Sequence, residues 1–182
     1  PFIPSEHHGK PVVMVSLVHA GDAGAGERAI EPIRSLAPPV ADMVRRMRYP
    51  EMYAGPEGPG PAFADGTNVL LGGLRAGAVE AIFEHLETAT APMAAAELRF
   101  LGGAMARVPD DATAFGNRGA ALMVNISALH GSPEDRATHR SWANSLAAAL
   151  SDGAESPAAY AGFLGDDGEE GTRRAYPPAT LE

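Results

Sequence analysis

The sequence predicts an α+β fold, an antiparallel sheet with helices on one face. Apolar runs of strand length alternate with amphipathic segments of helix length, and no stretch repeats at a fixed short period. From residue 67 onward the predicted order is β-α-β-β-α-β, which is the split βαβ arrangement of ferredoxin-like folds. Such a sheet has one face without helices, and we expect another element or another chain to cover it.

The first elements are predicted to be a strand and a helix. Pro11–His19 is a valine-rich run between glycines, which is typical of a buried strand. Asp22 is placed to cap the next helix, predicted at Glu27–Leu36, in which Pro32 is tolerable only near the first turn. Val40–Met47 is predicted to form a second short helix or a turn.

The central elements follow a loop that is rich in glycine and proline. Ala54–Gly66 contains four glycines and three prolines, and we interpret it as a surface connection in preference to an active-site lid. A strand is predicted at Thr67–Leu74 and an amphipathic helix at Ala78–Ala89. Two further strands, Ala94–Leu101 and Ala120–Leu129, then flank a polar loop.

The last elements are predicted to be a long helix, a strand and a short helix. Ser132 precedes a proline and a glutamate, which is the chemistry of a helix start, and this helix is predicted to run to Leu150. Ala158–Leu164 predicts the final strand of the sheet, and Glu169–Tyr176 predicts the short helix.

Composition narrows the classes of function. The chain has 182 residues, enough for one domain, with 45% hydrophobic and 20% charged residues, as in ordinary globular proteins. A net charge of −9 argues against nucleic-acid and anionic-membrane partners, since phosphates would be repelled. Cysteine is absent, which is typical of a reducing compartment, and we expect a cytoplasmic protein. No apolar stretch reaches the roughly 18 residues that a membrane-spanning helix needs.

The reactive side chains form no recognisable motif. None of the six histidines lies four residues from another, and neither HxH nor HExxH occurs, so we expect no metal site. The acidic pairs lack the spacing of calcium ligands, and no nucleophile elbow is present. Gly102-Gly103 lacks the flanking residues of a phosphate-binding loop and is more typical of a bulge or a close backbone approach. The residues alone therefore indicate no catalytic constellation.

The most specific segment is the polar loop, LGGAMARVPDDATAFGNR, at Leu101–Arg118. It contains Gly-Gly-Ala at 102–104, Arg-Val at 107–108 and Asp-Ala-Thr-Ala-Phe at 111–115. This pattern resembles the substrate domain of bacterial berberine-bridge-enzyme-like FAD-linked oxidases, within the vanillyl-alcohol-oxidase and p-cresol-methylhydroxylase superfamily. Similar segments at Gly9–Asp22 and Ala159–Tyr176 extend the resemblance over most of the chain.

The resemblance implies that residues 1–182 form the substrate, or cap, domain of an FAD-linked oxidase. In that family FAD is held by a separate domain whose segments are absent from this sequence, so we expect FAD in the intact enzyme but not on this chain alone. The FAD-binding domain is then a partner, in cis or as a neighbouring chain. The implied reaction is oxidation of an alcohol, a sugar or a secondary metabolite by hydride transfer to the flavin.

The resemblance also assigns residues to the site. Asn125 stands at the family's polar catalytic-base position, where an amide orients its target by hydrogen bonds because it is no strong base. Tyr160 corresponds to the tyrosine of a Tyr-x-Asn motif, although Gly162 replaces the asparagine. The positions expected to face substrate or flavin are Asn117, Arg118, Gly102 and Gly103.

A second interpretation uses the predicted fold without a flavin. A ferredoxin-like module with an uncovered apolar sheet face would pair with its twin, so the chain would be a dimeric binding or interaction module. We expect the isolated chain to be a dimer or larger under either interpretation. A stand-alone cofactor-free enzyme is the least favoured interpretation, because no pair of nucleophile and base is visible.

Overall fold

The computed structural model describes residues 4–53, 60, 62–151, 158–165 and 167–181. The chain divides into two compact units, Pro1–Gly58 and Pro59–Glu182. Within the described ranges, no helix combines the length and the apolarity that crossing a lipid bilayer requires.

The described residues of the first unit contain one α-helix, α1 at Ala23–Arg34. The side chain of Asp22 accepts a 2.8 Å hydrogen bond from the backbone N–H of Ala25, which confirms the predicted cap. The helix begins and ends earlier than the predicted Glu27–Leu36. Pro32 lies in its last turn rather than its first, where its missing N–H removes a single hydrogen bond from the end of the ladder.

Two predictions for the first unit are wrong. Pro11–His19 forms no strand, and Val40–Met47, predicted as a short helix or a turn, forms neither a helix nor a backbone-hydrogen-bonded turn; both segments are irregular, and most of their large apolar side chains are exposed. A strand needs a hydrogen-bonded neighbour, and no strand in the described part of the chain pairs with Pro11–His19. The only other regular elements described here are short 3₁₀ turns at Ser5–His7 and Tyr49–Tyr53.

The described residues of the second unit form an antiparallel three-stranded sheet and four α-helices. The strand order is β1-β3-β2, so β3 is central, and the order along the chain is β-α-β-β-α followed by two short helices. The strands are β1 Phe63–Leu71, β2 Met93–Phe100 and β3 Leu122–His130. The helices are α2 Ala78–Thr88, α3 Arg136–Leu150, α4 Gly168–Ala175 and α5 Pro178–Leu181. The predicted α+β class is confirmed.

One face of the sheet, which we call the helix face, packs against α2 and α3. Its core joins Val69 of β1 and Val124 and Ile126 of β3 to Ile82 of α2 and Leu146 of α3. These strand residues alternate along each strand, as expected for side chains that share one face. The helix face therefore contains the hydrophobic core of the unit.

The opposite face, which we call the second face, carries the alternate residues of the strands. Leu70 and Met123 lie opposite each other in the register and are buried, while Arg99, opposite Met123 on β2, is exposed. The second face is thus covered on the β1 side and open on the β2 side.

One strand begins earlier than predicted, and another predicted strand does not form. Phe63–Gly66 belongs to β1, whereas the predicted loop Ala54–Gly66 included it; residues 54–59 and 61 of that loop lie outside the described residues. A Cβ at Gly66 would collide with the backbone carbonyl oxygen of Ile126, so glycine permits close strand pairing here. The predicted strand Ala158–Leu164 is wrong: a 3₁₀ turn forms at Ala161–Phe163, although Leu70 N–H donates to the Ala158 carbonyl at 2.8 Å.

Candidate functional site

A row of three polar residues crosses the second face at the middle of the sheet. Asn125 of β3 lies opposite Asn68 of β1 on one side and opposite Glu97 of β2 on the other. Directly opposed residues in an antiparallel pair have Cβ atoms about 5 Å apart, so neighbouring side chains of this polar row can act on one ligand. The polar row is the candidate functional site.

Asn68 is fully buried, and both ends of its side-chain amide make hydrogen bonds within the protein. Its Oδ1 accepts from the backbone N–H of Tyr160 at 2.7 Å, and its Nδ2 donates to the Tyr160 carbonyl at 3.2 Å. The backbone carbonyl of Asn68 accepts from Arg174 Nη2 at 2.9 Å. Asn68 therefore fastens the segment around Tyr160, and the end of α4, to β1.

Asn125 differs from Asn68 because its side-chain amide makes no hydrogen bond to backbone groups. Among the described residues its side chain makes no hydrogen bond, and it is half-buried between the other two members of the row. An amide offers both a donor and an acceptor, so Asn125 can hold a hydroxyl or a carbonyl in either direction. This is the position that the resemblance matched to the catalytic base of the FAD-linked oxidases.

Glu97 and Arg99 supply opposite charges on the β2 side of the second face. Arg99 donates to both carboxylate oxygens of Glu97, from Nε at 2.9 Å and from Nη2 at 3.1 Å. The Arg99 guanidinium also lies over the ring of Phe163, 4.4 Å from its centroid. Arg99 is thus held on two sides, and it fixes the direction of the Glu97 carboxylate.

Sequence reasoning missed Asn68 and Glu97. Each is a polar residue inside an otherwise largely apolar strand segment, Asn68 in TNVLL and Glu97 in AELRF. That placement was the sequence signal that could have identified them. Their alignment with Asn125 depends on the strand register, which no local pattern specified.

Tyr160 has a fixed backbone and a ring that is 40% exposed. Its ring centroid lies 5.9 Å from that of Phe115, edge to face, and 5.8 Å from that of Phe163. The predicted site residue Tyr160 is therefore joined to the polar row through Asn68, and its ring packs against Phe115 and Phe163.

Arg118 organises the polar loop between β2 and β3. Its guanidinium donates to Thr113 Oγ1 at 2.7 Å and to the Met105 carbonyl at 3.3 Å, and its backbone N–H donates to Asp110 Oδ1 at 3.2 Å. It also lies 5.5 Å from the centroid of Phe115. Arg118 thus holds its own loop together, with the Phe115 ring placed against Tyr160.

Asn117 and the glycine pair occupy other parts of the loop. Asn117 Nδ2 lies 3.5 Å from the Ala175 carbonyl at the end of α4. Gly102 and Gly103 have φ of +112° and +58°, and an added Cβ at either would meet no atom within 4 Å. The backbone conformation requires these glycines, whereas close approach of another group does not.

A shallow cleft of about 330 Å³ lies where this loop meets the end of β1. Its lining includes Asn117 and Asp110 from the loop, Leu70 and Leu71 from β1, and Ala158. The predicted residues therefore form two groups, with Asn125 and Tyr160 around the polar row and Asn117 in the cleft. Gly102, Gly103 and Arg118 shape the loop that connects them.

A second polar centre lies on the helix face. Asp65 of β1 is buried, and its carboxylate accepts from His130 Nε2 at 2.9 Å and from Arg136 Nε at 3.1 Å. Burial raises the pKa of Asp65, but the hydrogen bonds from Arg136 and His130 outweigh it and hold the pKa below its usual range. His130 Nδ1 lies 2.7 Å from the Ser132 carbonyl, so both ring nitrogens face acceptors.

Comparison with known proteins gives a structural likeness. No protein-family model matches the chain, and no curated protein matches it. Two solved structures from Physcomitrella patens, the wild-type BBE-like 1 and its D396N variant, each align with a TM-score of 0.55 and 18% sequence identity. The alignment covers 65% of this chain and 26% of the moss chain, so the match spans about a quarter of that protein. At this identity the chain shares the fold of part of a BBE-like protein.

Proposed function

We propose that this chain is the substrate-binding part of an FAD-dependent oxidoreductase, the role implied by its resemblance to berberine-bridge-enzyme-like oxidases. The observation that carries the proposal is the polar row, in which a free amide and a carboxylate stand side by side on the face opposite the helices. The shared fold with a part of a BBE-like protein supports the same assignment. The substrate is an alcohol, a sugar or a secondary metabolite with an oxidisable hydroxyl.

Each member of the row has a separate role in this proposal. Asn125 hydrogen-bonds the substrate hydroxyl and sets its orientation, since its amide has no other partner in the described part of the chain. Glu97 receives the proton that leaves that hydroxyl, and Arg99 keeps its carboxylate directed by two hydrogen bonds. Asn68 and Tyr160 form the rigid wall against which the substrate packs.

The side chains of the second face suit the isoalloxazine ring of FAD better than its pyrophosphate. Amide and hydroxyl groups suit the polar edge of the isoalloxazine ring, whereas the described residues offer no glycine-rich cradle for its pyrophosphate. FAD, held by a domain in cis or by a neighbouring chain, would supply the acceptor for the hydride. This chain would contribute orientation, a proton acceptor and the exclusion of water.

The first test is the visible absorption spectrum of the purified chain, recorded alone and after incubation with FAD followed by desalting. We expect a colourless protein in both cases, because the described residues offer no site for the pyrophosphate and adenosine of FAD. Retained flavin absorption would mean that the chain builds its own flavin site. The same spectrum of the chain mixed with a flavin-binding partner provides the positive comparison.

We propose, as a second candidate, a homodimeric module that pairs through β2, which is an edge strand in the described sheet. With Leu98 on the twofold axis of an antiparallel β2–β2 pair, Glu97 of one copy lies opposite Arg99 of the other. The same register places Ala96 opposite Phe100, whose side chain is 81% exposed. Complementary charges and the exposed phenylalanine both favour this pairing.

The opposite edge of the sheet, at β1, also favours this candidate because another segment lies along it. Residues 158–160 follow β1 through the bond from Leu70 N–H to the Ala158 carbonyl, and we infer that they take the place of the fourth strand of a ferredoxin-like sheet. The β1 edge is then occupied, which leaves β2 as the edge for a second copy.

Light scattering at micromolar concentration tests the dimer. We expect the wild type to be dimeric and Arg99→Glu to be monomeric, because Glu97 would then face a like charge across the axis. The exchange of both charges, Glu97→Arg with Arg99→Glu, should restore the dimer. A monomeric wild type, or an unchanged dimer in Arg99→Glu, would contradict the β2 pairing.

A further inference from the structure

One arginine of the polar loop carries a positive charge that no carboxylate of the described residues neutralises. Arg118 is partly buried, and its guanidinium donates to two neutral acceptors, Thr113 Oγ1 at 2.7 Å and the Met105 carbonyl at 3.3 Å. Its Nε is shielded from solvent and has no hydrogen-bond partner in the described part of the chain. A charge that is withdrawn from water is normally paired, so this guanidinium is suited to an anionic ligand.

We propose that Arg118 binds a carboxylate of the substrate, and that the substrate is an aromatic alcohol with this carboxylate at the end opposite its oxidisable hydroxyl. The inference rests on the function proposed above and names the substrate class of the same site. A guanidinium and a carboxylate form strong, charge-assisted hydrogen bonds. Each Nη of Arg118 has two N–H groups and uses one within the loop, so the second N–H of each remains for a ligand.

Three aromatic rings, which we call the aromatic cluster, connect Arg118 with the polar row. The Arg118 guanidinium lies 5.5 Å from the ring centroid of Phe115, which lies 5.9 Å from that of Tyr160. The Tyr160 ring lies 5.8 Å from that of Phe163 and is 40% exposed. An aromatic ring of a ligand can therefore pack against Tyr160, between the two ends of the cluster.

The two ends of the aromatic cluster carry different charges. At the Phe163 end, Arg99 is paired with Glu97, the proton acceptor in the proposed function. At the Phe115 end, Arg118 has no carboxylate partner among the described residues. A ligand carboxylate is repelled by Glu97 and attracted by Arg118, so the substrate binds in one direction, with its hydroxyl at the polar row.

The acidic residues of the polar loop leave the guanidinium of Arg118 available. Asp110 Oδ1 accepts from the backbone N–H of Arg118 at 3.2 Å, and Asp110 lines the shallow cleft, whose lining does not include Arg118. Asp111 is exposed, and Arg107 balances its charge, so Leu101–Arg118 has no net charge. Salt screens the more distant charges of this acidic chain, so the direct contact with Arg118 dominates.

The test measures ligand binding to the purified 182-residue chain through the NMR shifts of the Tyr160 ring. The probes are para-(hydroxymethyl)benzoate and its neutral amide, para-(hydroxymethyl)benzamide, which has the same shape. We expect the benzoate to bind at least about tenfold more tightly than the amide, the effect of one charge-assisted pair. Glucuronate, an anionic sugar, should bind at least about tenfold more weakly than the benzoate because it has no aromatic ring.

Arg118→Gln should lower the affinity for the benzoate to that for the amide. Its Kd for the amide should be unchanged, which reports that the aromatic cluster remains folded. The matched control is Arg107→Gln, at an exposed arginine of the same loop, and it should bind both probes as the wild type does. If Arg118→Gln loses both probes because the loop opens, Arg118→Lys, which keeps the charge, should still prefer the benzoate.

Four results would overturn the proposal. They are a wild type that binds the benzoate no better than the amide, glucuronate binding as tight as that of the benzoate, a preference for the benzoate that survives in Arg118→Gln, and a preference that is lost in Arg107→Gln. Where Arg118→Gln loses both probes, an Arg118→Lys chain without the preference would overturn it as well.

None of these measurements needs a flavin, so they separate this proposal from the function on which it rests. Flavin bleaching by a neutral alcohol without any benzoate preference would overturn the role of Arg118 alone. A benzoate preference in a protein that contains no flavin would contradict the oxidoreductase and leave Arg118 as a carboxylate-binding residue.

Discussion

The two faces of the sheet differ in where their polar residues lie and in whether those side chains are hydrogen-bonded. On the helix face, polar groups stand at the end of the sheet, and the buried Asp65 is compensated by His130 and Arg136. On the second face they run across the middle of the sheet, where the Asn68 amide is satisfied by backbone groups and the Asn125 side chain makes no hydrogen bond within the described residues.

This difference in side-chain hydrogen bonding separates polar residues that hold the fold from those available to a ligand. Asn68 and Asn125 are the same residue type, directly opposed in one strand pair, yet only the first has partners that its burial requires. A buried amide with every group satisfied holds the fold. An amide at the border of an open surface, with its groups free, is available to a ligand. The predictions below test this division.

The largest effect should come from the helix face. Leu146→Ala removes a fully buried side chain from the core between α3 and the sheet, and we expect a loss of about 3 kcal/mol in the free energy of unfolding, measured by urea denaturation. The same change at the exposed Leu36 should cost less than about 0.5 kcal/mol. Equal losses at the two positions would contradict the assigned core.

Asn68→Ala should produce the next largest effect. It leaves the backbone N–H of Tyr160 without its partner and removes one of the two donors to the Tyr160 carbonyl, which keeps its bond from Phe163 N–H, and we expect a loss of about 2 kcal/mol by urea denaturation. Asn125→Ala, directly across the strand pair, is the matched control and should cost less than about 0.5 kcal/mol. Similar losses in the two variants would remove the distinction between them.

Asp65 should give a smaller effect that depends on pH. Its folded pKa lies below the unfolded value, so its stabilisation is present above about pH 4 and is lost as the pH falls through the folded pKa. Asp65→Asn should therefore be less stable than the wild type near neutral pH, and the difference should shrink in acid. Thermal melts from pH 7 to pH 3 measure this.

The control for the acid experiment is Asp111→Asn, an exposed carboxyl in the polar loop. Its melting curves should stay parallel to those of the wild type across the pH range. A difference between Asp65→Asn and wild type that stays constant down to pH 3 would mean that the Asp65 ion pairs do not stabilise the fold.

The smallest structural effect should come from Arg99→Gln. Arg99 lies at the surface, and its ion pair with Glu97 contributes less than about 1 kcal/mol to the free energy of unfolding. We expect a nearly unchanged urea midpoint but faster motion of the Phe163 ring, detected as sharper aromatic NMR signals. A loss as large as that of Asn68→Ala would show that the β2 side of the second face is structural too.

The sequence predicted the central helices and strands of the second unit because their periodicity is strong, but the strand predicted at Ala158–Leu164 did not form. The helix over Ala78–Ala89 and the long helix ending at Leu150 are both observed within a few residues, since their apolar spacing is set by the face they bury. The central strands were found for the same reason. Pro11–His19 failed because a strand depends on a partner, and a valine-rich run specifies none.

The candidate site was less predictable than the fold. Asn125 and Tyr160 came from the resemblance, and the structure joins them through Asn68, which no motif marked. Glu97 reached the same row by strand register, a property of pairs of strands that single segments do not encode.

The most direct test of the central claim is the rate of flavin reduction in the protein whose reading frame contains this chain, purified with any chain that accompanies it. Under anaerobic conditions, an oxidisable alcohol or sugar should bleach the flavin absorption. Asn125→Ala should slow the bleaching about a hundredfold at unchanged flavin content, because the substrate loses its orienting hydrogen bond. A preparation without flavin, or a variant that bleaches at the wild-type rate, would contradict the assignment of the polar row as the substrate site.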